Sequence, residues 1–415
     1  MNFPFFVAKR FFKSIGRNSR QASNPTITVA TAGVALGLTV MLITVSVIMG
    51  FKQEITKKIE GFGGHVQIMD KLSISNPDAY PIATDSQFVD AIRRLPQVKS
   101  VGRVSSKMGV IKTYDDFLSI TFRGLSAHAD TAFLHSALVQ GRLPKFDDAA
   151  SNEIILSQRQ ANELRLKVGD RVFAYFFEET IKTRRLTVVG IYRSNMANFD
   201  QNYVFAPIAT IDKLNGWDNE KSTYLDVRLH SMEDLSQAMQ QIGHVCGRMN
   251  MNELDKERLP ISVTELYAQV FGWLSLLDFN MIVILILMVA VSGFTMVSGL
   301  FILILERTQT IGVFKTMGAS NATVRKIFLN FAALITLRGL VIGNVLALVL
   351  LGIQHQFHFV HLDPATYYVD TVPVEFPWLA FIIINVITLA LTVLALVGPS
   401  YMITRIQPAK AITFE

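Results

Sequence analysis

Four stretches of the chain, residues 27–51, 280–305, 327–353 and 378–402, are apolar almost throughout and hold one charge among them, Arg338. A bilayer core of about 30 Å takes about 20 helical residues to cross, so each stretch predicts a transmembrane helix. The first is longer than the apolar region of a secretory signal, which covers about 7–15 residues. It also runs on into the charged, helix-forming stretch 52–60, so it reads as a retained anchor. Residues 61–269 are patterned differently. Alternation and β-branched content predict strands over 65–69, 171–177, 185–191 and 224–229, and amphipathic periodicity predicts helices over 86–94, 158–164 and 232–249. The charged connection 178–184 suits a β-hairpin. Helical patterns at 52–60 and 263–271 prolong spans one and two as rigid stalks. The expected fold class is a membrane protein: four transmembrane α-helices plus a large α+β domain, of two subdomains with an insertion near 120–215, placed between helices 1 and 2.

This organisation divides the chain into an amino-terminal segment 1–26, span one at 27–51, the domain with its stalks at 52–270 and span two with its stalk end at 271–305. A loop 306–326, span three at 327–353, a short loop 354–377, span four at 378–402 and a tail 403–415 follow. Half of the residues are hydrophobic and 17% are charged, against about 25% charged in a soluble domain. The net charge of +6 could suit nucleic acid, but its distribution excludes that reading. Lys9, Arg10, Lys13, Arg17 and Arg20 precede span one, Arg307, Lys315, Arg325 and Lys326 lie in or beside the loop after span two, and Arg405 and Lys410 follow span four. Residues 354–377 contain no Lys or Arg. Basic residues near helix ends mark the cytoplasmic side, so both termini and the 306–326 loop are expected there, with the domain outside. The only cysteine, Cys246, allows no intrachain disulfide and reads as a buried apolar residue.

Catalytic chemistry is hard to find. No Walker A pattern, glycine-rich nucleotide fingerprint, HExxH or GxSxG occurs, so no catalytic residue, cofactor or metal is expected. His355, His358 and His361, with Asp363, could take a divalent cation but fit a solvated loop better. Gly33 with Gly37, and Gly339 with Gly343, form two GxxxG pairs that allow close helix packing, within the bundle or at a subunit interface. Arg338 would be costly at mid-bilayer; with 321–333 lying along the membrane surface it would fall near the headgroups and snorkel. The loop sequence ERTQTIGVFKTMGA over 306–319 predicts a short amphipathic helix, with Ile311, Phe314 and Met317 on one side and Gly318 at its end.

At this loop the chain resembles the FtsX/MacB-type permeases, in which an E-R-T-x-x-I-G-x-x-(K/R)-x-(M/L)-G-A helix docks on a separate ATP-binding subunit. GVALG at 33–37 and VSVIMGF at 45–51 are similar to the lipoprotein-releasing (LolC/LolE) branch. FRGL at 122–125, GRL at 141–143, EIIL at 153–156, VGD at 168–170 and the tail PAKAITFE at 408–415 match in order along nearly the whole chain. The resemblance implies that Glu306, Arg307, Thr308, Ile311, Gly312, Phe314, Lys315, Met317 and Gly318 form an ATPase-coupling helix. It implies two copies of an ABC ATPase, a second permease subunit in a homo- or heterodimer, a triacylated lipoprotein substrate, a periplasmic lipoprotein carrier, and residence among the lipids of the bacterial inner membrane. Each buried CH₂ holds an acyl chain in lipid by about 0.8 kcal/mol, so extraction needs an apolar cradle and an energy source. Val40, Leu42, Val45, Val47 and Ile48 of span one, with Ile282, Ile284 and Ile286 of span two, are the expected cradle.

One departure stands out. The carrier-docking hairpin in one branch of the family is long and contains proline, whereas 178–184 is short and has none, which leaves open which permease half this is. Two alternatives remain: another FtsX/MacB-type permease, for efflux or cell-envelope signalling, and a membrane-anchored periplasmic scaffold without ATP coupling. Cell-division members have a smaller outer domain and efflux members a fused ATPase. A co-purifying ATP-binding subunit would separate the scaffold from both transport readings.

Overall fold

A computed structural model of the chain describes residues 3–15, 23–74, 80–114, 116–148, 151–177, 180–250 and 258–402. Arg17, Arg20 and the tail 403–415, with Arg405, Lys410 and the PAKAITFE motif, lie outside the described residues. The chain forms two compact units. One comprises residues 1–52, 273–361 and 371–415, the other residues 53–272 and 362–370.

The first unit is a helical bundle. Its four long helices are Ser23–Gly63, Ala268–Glu306, Asn321–Phe357 and Trp378–Ala395, whose apolar windows have mean hydropathies of 2.4, 2.5, 2.2 and 2.7. The first three contain 41, 39 and 37 residues, well beyond the about 20 that a bilayer requires. Span three opens with Ser320, whose side chain accepts from the Thr323 amide, and closes on His358 in the left-handed conformation. Span one is the bundle's axis: Val34, Leu38, Met41, Leu42 and Val45 pack with Leu340, Ala347 and Leu351 of span three and Phe381 and Ile384 of span four. A second apolar layer joins Ala8 of an amino-terminal helix, Phe3–Ile15, to Leu300 and Leu303 of span two, Ile311 of the loop, and Phe328, Phe331 and Ile335 of span three.

Asn321–Phe357 is one unbroken helix, so 321–333 is not a separate surface segment as the sequence suggested. Its apolar side, from Val324 to Ile335, packs into the second layer, and that burial keeps the helix continuous. The depth of Arg338 still fits snorkelling. Its neighbour Gly339 meets Val34 and the Thr31 carbonyl, four to seven residues inside the apolar run that starts at Ile27. That is about 6–10 Å along a helix.

The second unit is α+β, with two cores sharing one long strand, Val98–Lys112. The first half of that strand joins an antiparallel sheet in the order Leu259–Ser262, Val66–Met69, Tyr224–Leu229, Val98–Lys112. Helices Ser86–Arg93 and Leu235–Asn250 cover this sheet with Phe88, Ile92, Ala238, Ile242 and Cys246. The second half belongs to a ring. Val98–Lys112 pairs with Phe117–Leu125, then Tyr203–Pro207, Glu153–Ser157, Lys182–Tyr192 and Arg171–Phe176, which returns to Val98–Lys112. Leu138–Gly141 adds to Lys182–Tyr192 outside the ring as a short edge strand. The ring's interior is filled by residues such as Ile111, Phe122, Leu156, Phe176 and Val188. This ring is the inserted subdomain expected near 120–215. The hairpin strands are paired from Arg171–Thr187 to Phe176–Lys182, so the second starts earlier than expected and the connection is shorter still; residues 178 and 179 lie outside the described residues.

Candidate functional site

Span two ends at Glu306, and a nine-residue helix, Thr308–Thr316, follows. Two features make the corner. The Thr308 hydroxyl donates to the Ile304 and Leu305 carbonyls (3.1 and 2.8 Å), occupying acceptors that the ending helix leaves open. Gly318, at φ +89°, closes the other end, with Ala319 N–H donating to the Phe314 carbonyl at 2.9 Å. Ile311 and Gly312 are buried, Phe314 and Lys315 are half-buried, and Met317 is 79% exposed. Burial also lowers the pKa of Lys315. Ile311, Phe314 and Met317 therefore do not share one environment. Three residues turn a helix by about 300°, so a row spaced by three drifts about 60° per step and winds from core to surface. The outward face is instead Gln309, Val313 and Thr316, all exposed, at the i, i+4, i+7 spacing of a true helical stripe. Glu306 is exposed, and Arg307 occupies the corner with its amide donating to the Leu303 carbonyl at 3.1 Å.

The GxxxG pairs pack inside the bundle. A Cβ at Gly33 or Gly37 would meet the side chains of Thr295 and Ser292 of span two, and one at Gly339 or Gly343 would meet Val34, Leu38 and the Thr31 and Ala35 carbonyls of span one. The expected cradle residues are not gathered on one surface. Leu42 and Val45 are buried in the core, Val47, Ile48 and Ile284 are half-buried, and only Val40, Ile282 and Ile286 are exposed. Ile282 and Ile286 line an apolar cleft of about 300 Å³ between spans two and four, with Met41 of span one among its walls. The outer ends of spans one and two are tied by Lys52 and Asp278 at 2.7 Å.

Two polar features escaped the sequence reading. Asn344 of span three and Asn385 of span four exchange side-chain hydrogen bonds at 2.7 and 3.1 Å, and each also donates to the carbonyl four residues back. Two asparagines in otherwise apolar spans were the available signal, since paired amides hold membrane helices together. The second is the packing, inside the domain unit, of residues 53–63, the last part of helix Ser23–Gly63. Phe62 stacks on Phe199 at 4.3 Å and lies 4.8 Å from Phe133, while Arg228 donates to the Glu60 carbonyl at 3.0 Å and pairs with Asp130. Arg123, of the FRGL stretch, is buried over the rings of Tyr203 and Tyr224 at 5.8 and 5.4 Å. Beside it, burial raises the Asp226 carboxyl to about 6 against the opposing pull of Arg123. The predicted second stalk is interrupted: Val263–Leu266 ends at Tyr267, and the long helix starts at Ala268.

The loop 362–370 packs with the domain. Lys58 donates to the Tyr368 carbonyl at 2.9 Å, and Asn195 donates to Asp370. The three histidines serve separate local roles: His355 lies edge-on to Phe376, His358 ends span three, and His361 bridges to Thr371. Cys246 is buried, which pushes its thiol up to about 12, so it is not a nucleophile at neutral pH.

The geometry is that of a membrane bundle with an exposed loop helix and a two-core domain between its first two spans. Comparison with known proteins agrees. The MacB-like periplasmic core domain profile matches residues 28–245, more than half of the chain, and that of the FtsX-like permease C-terminal domain matches residues 282–408. The chain is 22% identical to the lipoprotein-releasing system transmembrane protein LolE of Haemophilus influenzae, over 100% of both chains. It is 23% identical to LolC of Xylella fastidiosa over 92% of each, and 24% identical to LolC of Neisseria meningitidis serogroup B over 93% of this chain and 94% of that one. With the profiles, the span count and the inserted domain all in register, the chain belongs to the FtsX/MacB-type permease family.

Proposed function

We propose that this chain is a permease subunit of an ATP-driven transporter that extracts lipoproteins from the bacterial inner membrane. The observation that carries the reading is likeness to lipoprotein-releasing permeases over essentially the full length, joined to a loop helix whose outward face, Gln309, Val313 and Thr316, has room for a partner. Two copies of an ABC ATPase bind there, one on each of two permease subunits, and both termini face the cytoplasm with them. The work is mechanical: ATP-driven closure displaces the loop helices, the bundle transmits the displacement, and the domains grip and release cargo. A triacylated lipoprotein enters beside spans one and two, where Val40, Ile282 and Ile286 offer apolar surface. A periplasmic carrier receives it.

Depletion tests this reading. With the chain removed, outer-membrane lipoproteins should accumulate in the inner-membrane fraction; normal sorting would overturn the lipoprotein assignment while leaving the family intact.

A further inference from the structure

A groove of about 740 Å³ runs between the amino-terminal helix and the end of the loop helix, within the bundle unit. Phe3, Phe6, Val7 and Phe11 form one wall, and Phe314 and Met317 the other. Phe3, Phe6 and Met317 remain largely exposed although Ala8, on the other side of the same helix, is fully buried. Among the described residues, Arg10 is the one charged side chain that lines the groove, and it is exposed. Lys9 is its neighbour, and the first 26 residues contain five basic residues and no acid.

These properties specify a ligand. An apolar trough on a membrane-surface helix accepts hydrocarbon, and an arginine at its side accepts a phosphate, for which its planar fork is suited. The volume lies within the about 300–1,000 Å³ of small-molecule sites. A soluble helix would leave Phe3, Phe5 and Phe6, all exposed, facing water, whereas interfacial helices combine aromatic residues with basic ones. We infer that the groove binds an anionic phospholipid of the adjoining leaflet, with an acyl chain along Phe6 and Phe314 and the phosphate on Arg10. The lipid then touches both walls, including the last turn of the loop helix, so its presence sets where that helix rests. The outward stripe Gln309, Val313 and Thr316 is not part of the groove, so lipid and a partner on that stripe do not compete. This inference goes beyond the transport reading and needs only that this end of the bundle meets a membrane surface.

The test uses the full chain with its co-purifying partners in nanodiscs of phosphatidylcholine containing a photoreactive phosphatidylglycerol or, separately, a photoreactive phosphatidylcholine. Adducts on Phe3–Ile15 and Thr308–Thr316 peptides, measured by mass spectrometry, should favour phosphatidylglycerol about fivefold, the equivalent of about 1 kcal/mol for one basic residue near anionic lipid. Arg10→Gln should abolish the preference and Arg10→Lys should keep most of it, which separates loss of charge from loss of fold. Equal labelling by both lipids would overturn the proposal. So would absence of groove adducts, with a benzophenone at Phe6 capturing the ATPase or the chain's own tail instead. Neither result depends on cargo release, so the transport reading stands or falls separately.

Discussion

The two ends of helix Ser23–Gly63 are held by opposite means. In the bundle, Gly33 and Gly37 sit against Thr295 and Ser292, and Gly339 and Gly343 of span three close on the other side. In the domain, Phe62 is embedded among Phe133, Phe199 and Phe205, and Arg228 binds the last carbonyls of the helix. Small residues let the backbones approach closely there, and one directional bond, from the Thr39 hydroxyl to the Gly343 carbonyl at 3.1 Å, joins spans one and three. An aromatic plug with charge-assisted hydrogen bonds holds the other end. One helix is thus held by close backbone packing at one end and by ring and side-chain contacts at the other.

The comparison can be broken most severely in the bundle. Gly343→Leu would drive a side chain into the Ala35 carbonyl, 2.7 Å from the position of a Cβ. Overpacking against yielding neighbours costs about 1–3 kcal/mol, and backbone yields least, so detergent-extracted protein should aggregate in size-exclusion chromatography. Gly352→Leu, where a Cβ meets nothing within 4 Å, should behave as wild type. At the clamped end, Phe62→Ala should lower the stability of the domain by about 3–5 kcal/mol, as loss of a buried aromatic does, read from the urea midpoint of the full chain. Unchanged unfolding would show that the plug does not hold.

A pH test sharpens the polar side of the clamp. The ring of His65 accepts from the Leu229 amide at 3.2 Å, and burial lowers its pKa from 6.5 to about 4. Between those values the unfolded chain takes up a proton that the folded domain refuses, so this contribution is present above pH 6.5 and lost as pH falls toward 4. Asp212 and Asp226, both raised to about 6 by burial, act in the opposite sense: they favour the folded state below their unfolded values near 4 and lose that advantage as pH rises through 6. The stability difference between wild type and His65→Asn isolates the first effect. It should shift against wild type by up to roughly 3 kcal/mol between pH 6.5 and 4; a flat difference would remove His65 from the account. The smallest expected effect is at the Asn344–Asn385 pair. Asn344→Leu or Asn385→Leu alone should cost about 0.6–1.7 kcal/mol, the range for membrane hydrogen bonds, and the double variant should recover part of it in a thermal-shift cycle.

The legible and illegible parts of the structure follow from what periodicity can carry. The spans were plain because each is long, apolar and almost uncharged, and strand Tyr224–Leu229 was found because it alternates. Strand Val98–Lys112 was missed although it joins both cores: its sequence VKSVGRVSSKMGVIK mixes small and charged residues because it passes from one core to another. The loop helix was located from its motif, but Ile311, Phe314 and Met317 do not share one side as its spacing suggested, because spacing by three is only an approximate helical row. Arg123 and Phe62 could not be assigned from sequence, since their partners come from distant segments. The cradle failed as a set because hydropathy does not distinguish a side chain facing lipid from one facing the bundle; Leu42 and Ile286 score alike, yet the first is fully buried and the second is 66% exposed.

The central claim is that the loop helix receives its partner on the face formed by Gln309, Val313 and Thr316. Affinity purification of the full chain carrying Val313→Asp and Thr316→Asp tests it directly, since both positions are exposed and the Thr316 hydroxyl donates within its own helix, to the Val313 carbonyl at 2.8 Å. The expected result is intact, monodisperse permease that no longer brings down an ATP-binding subunit captured by the wild type. Undiminished capture by the variant, or no such subunit with the wild type, would contradict the account.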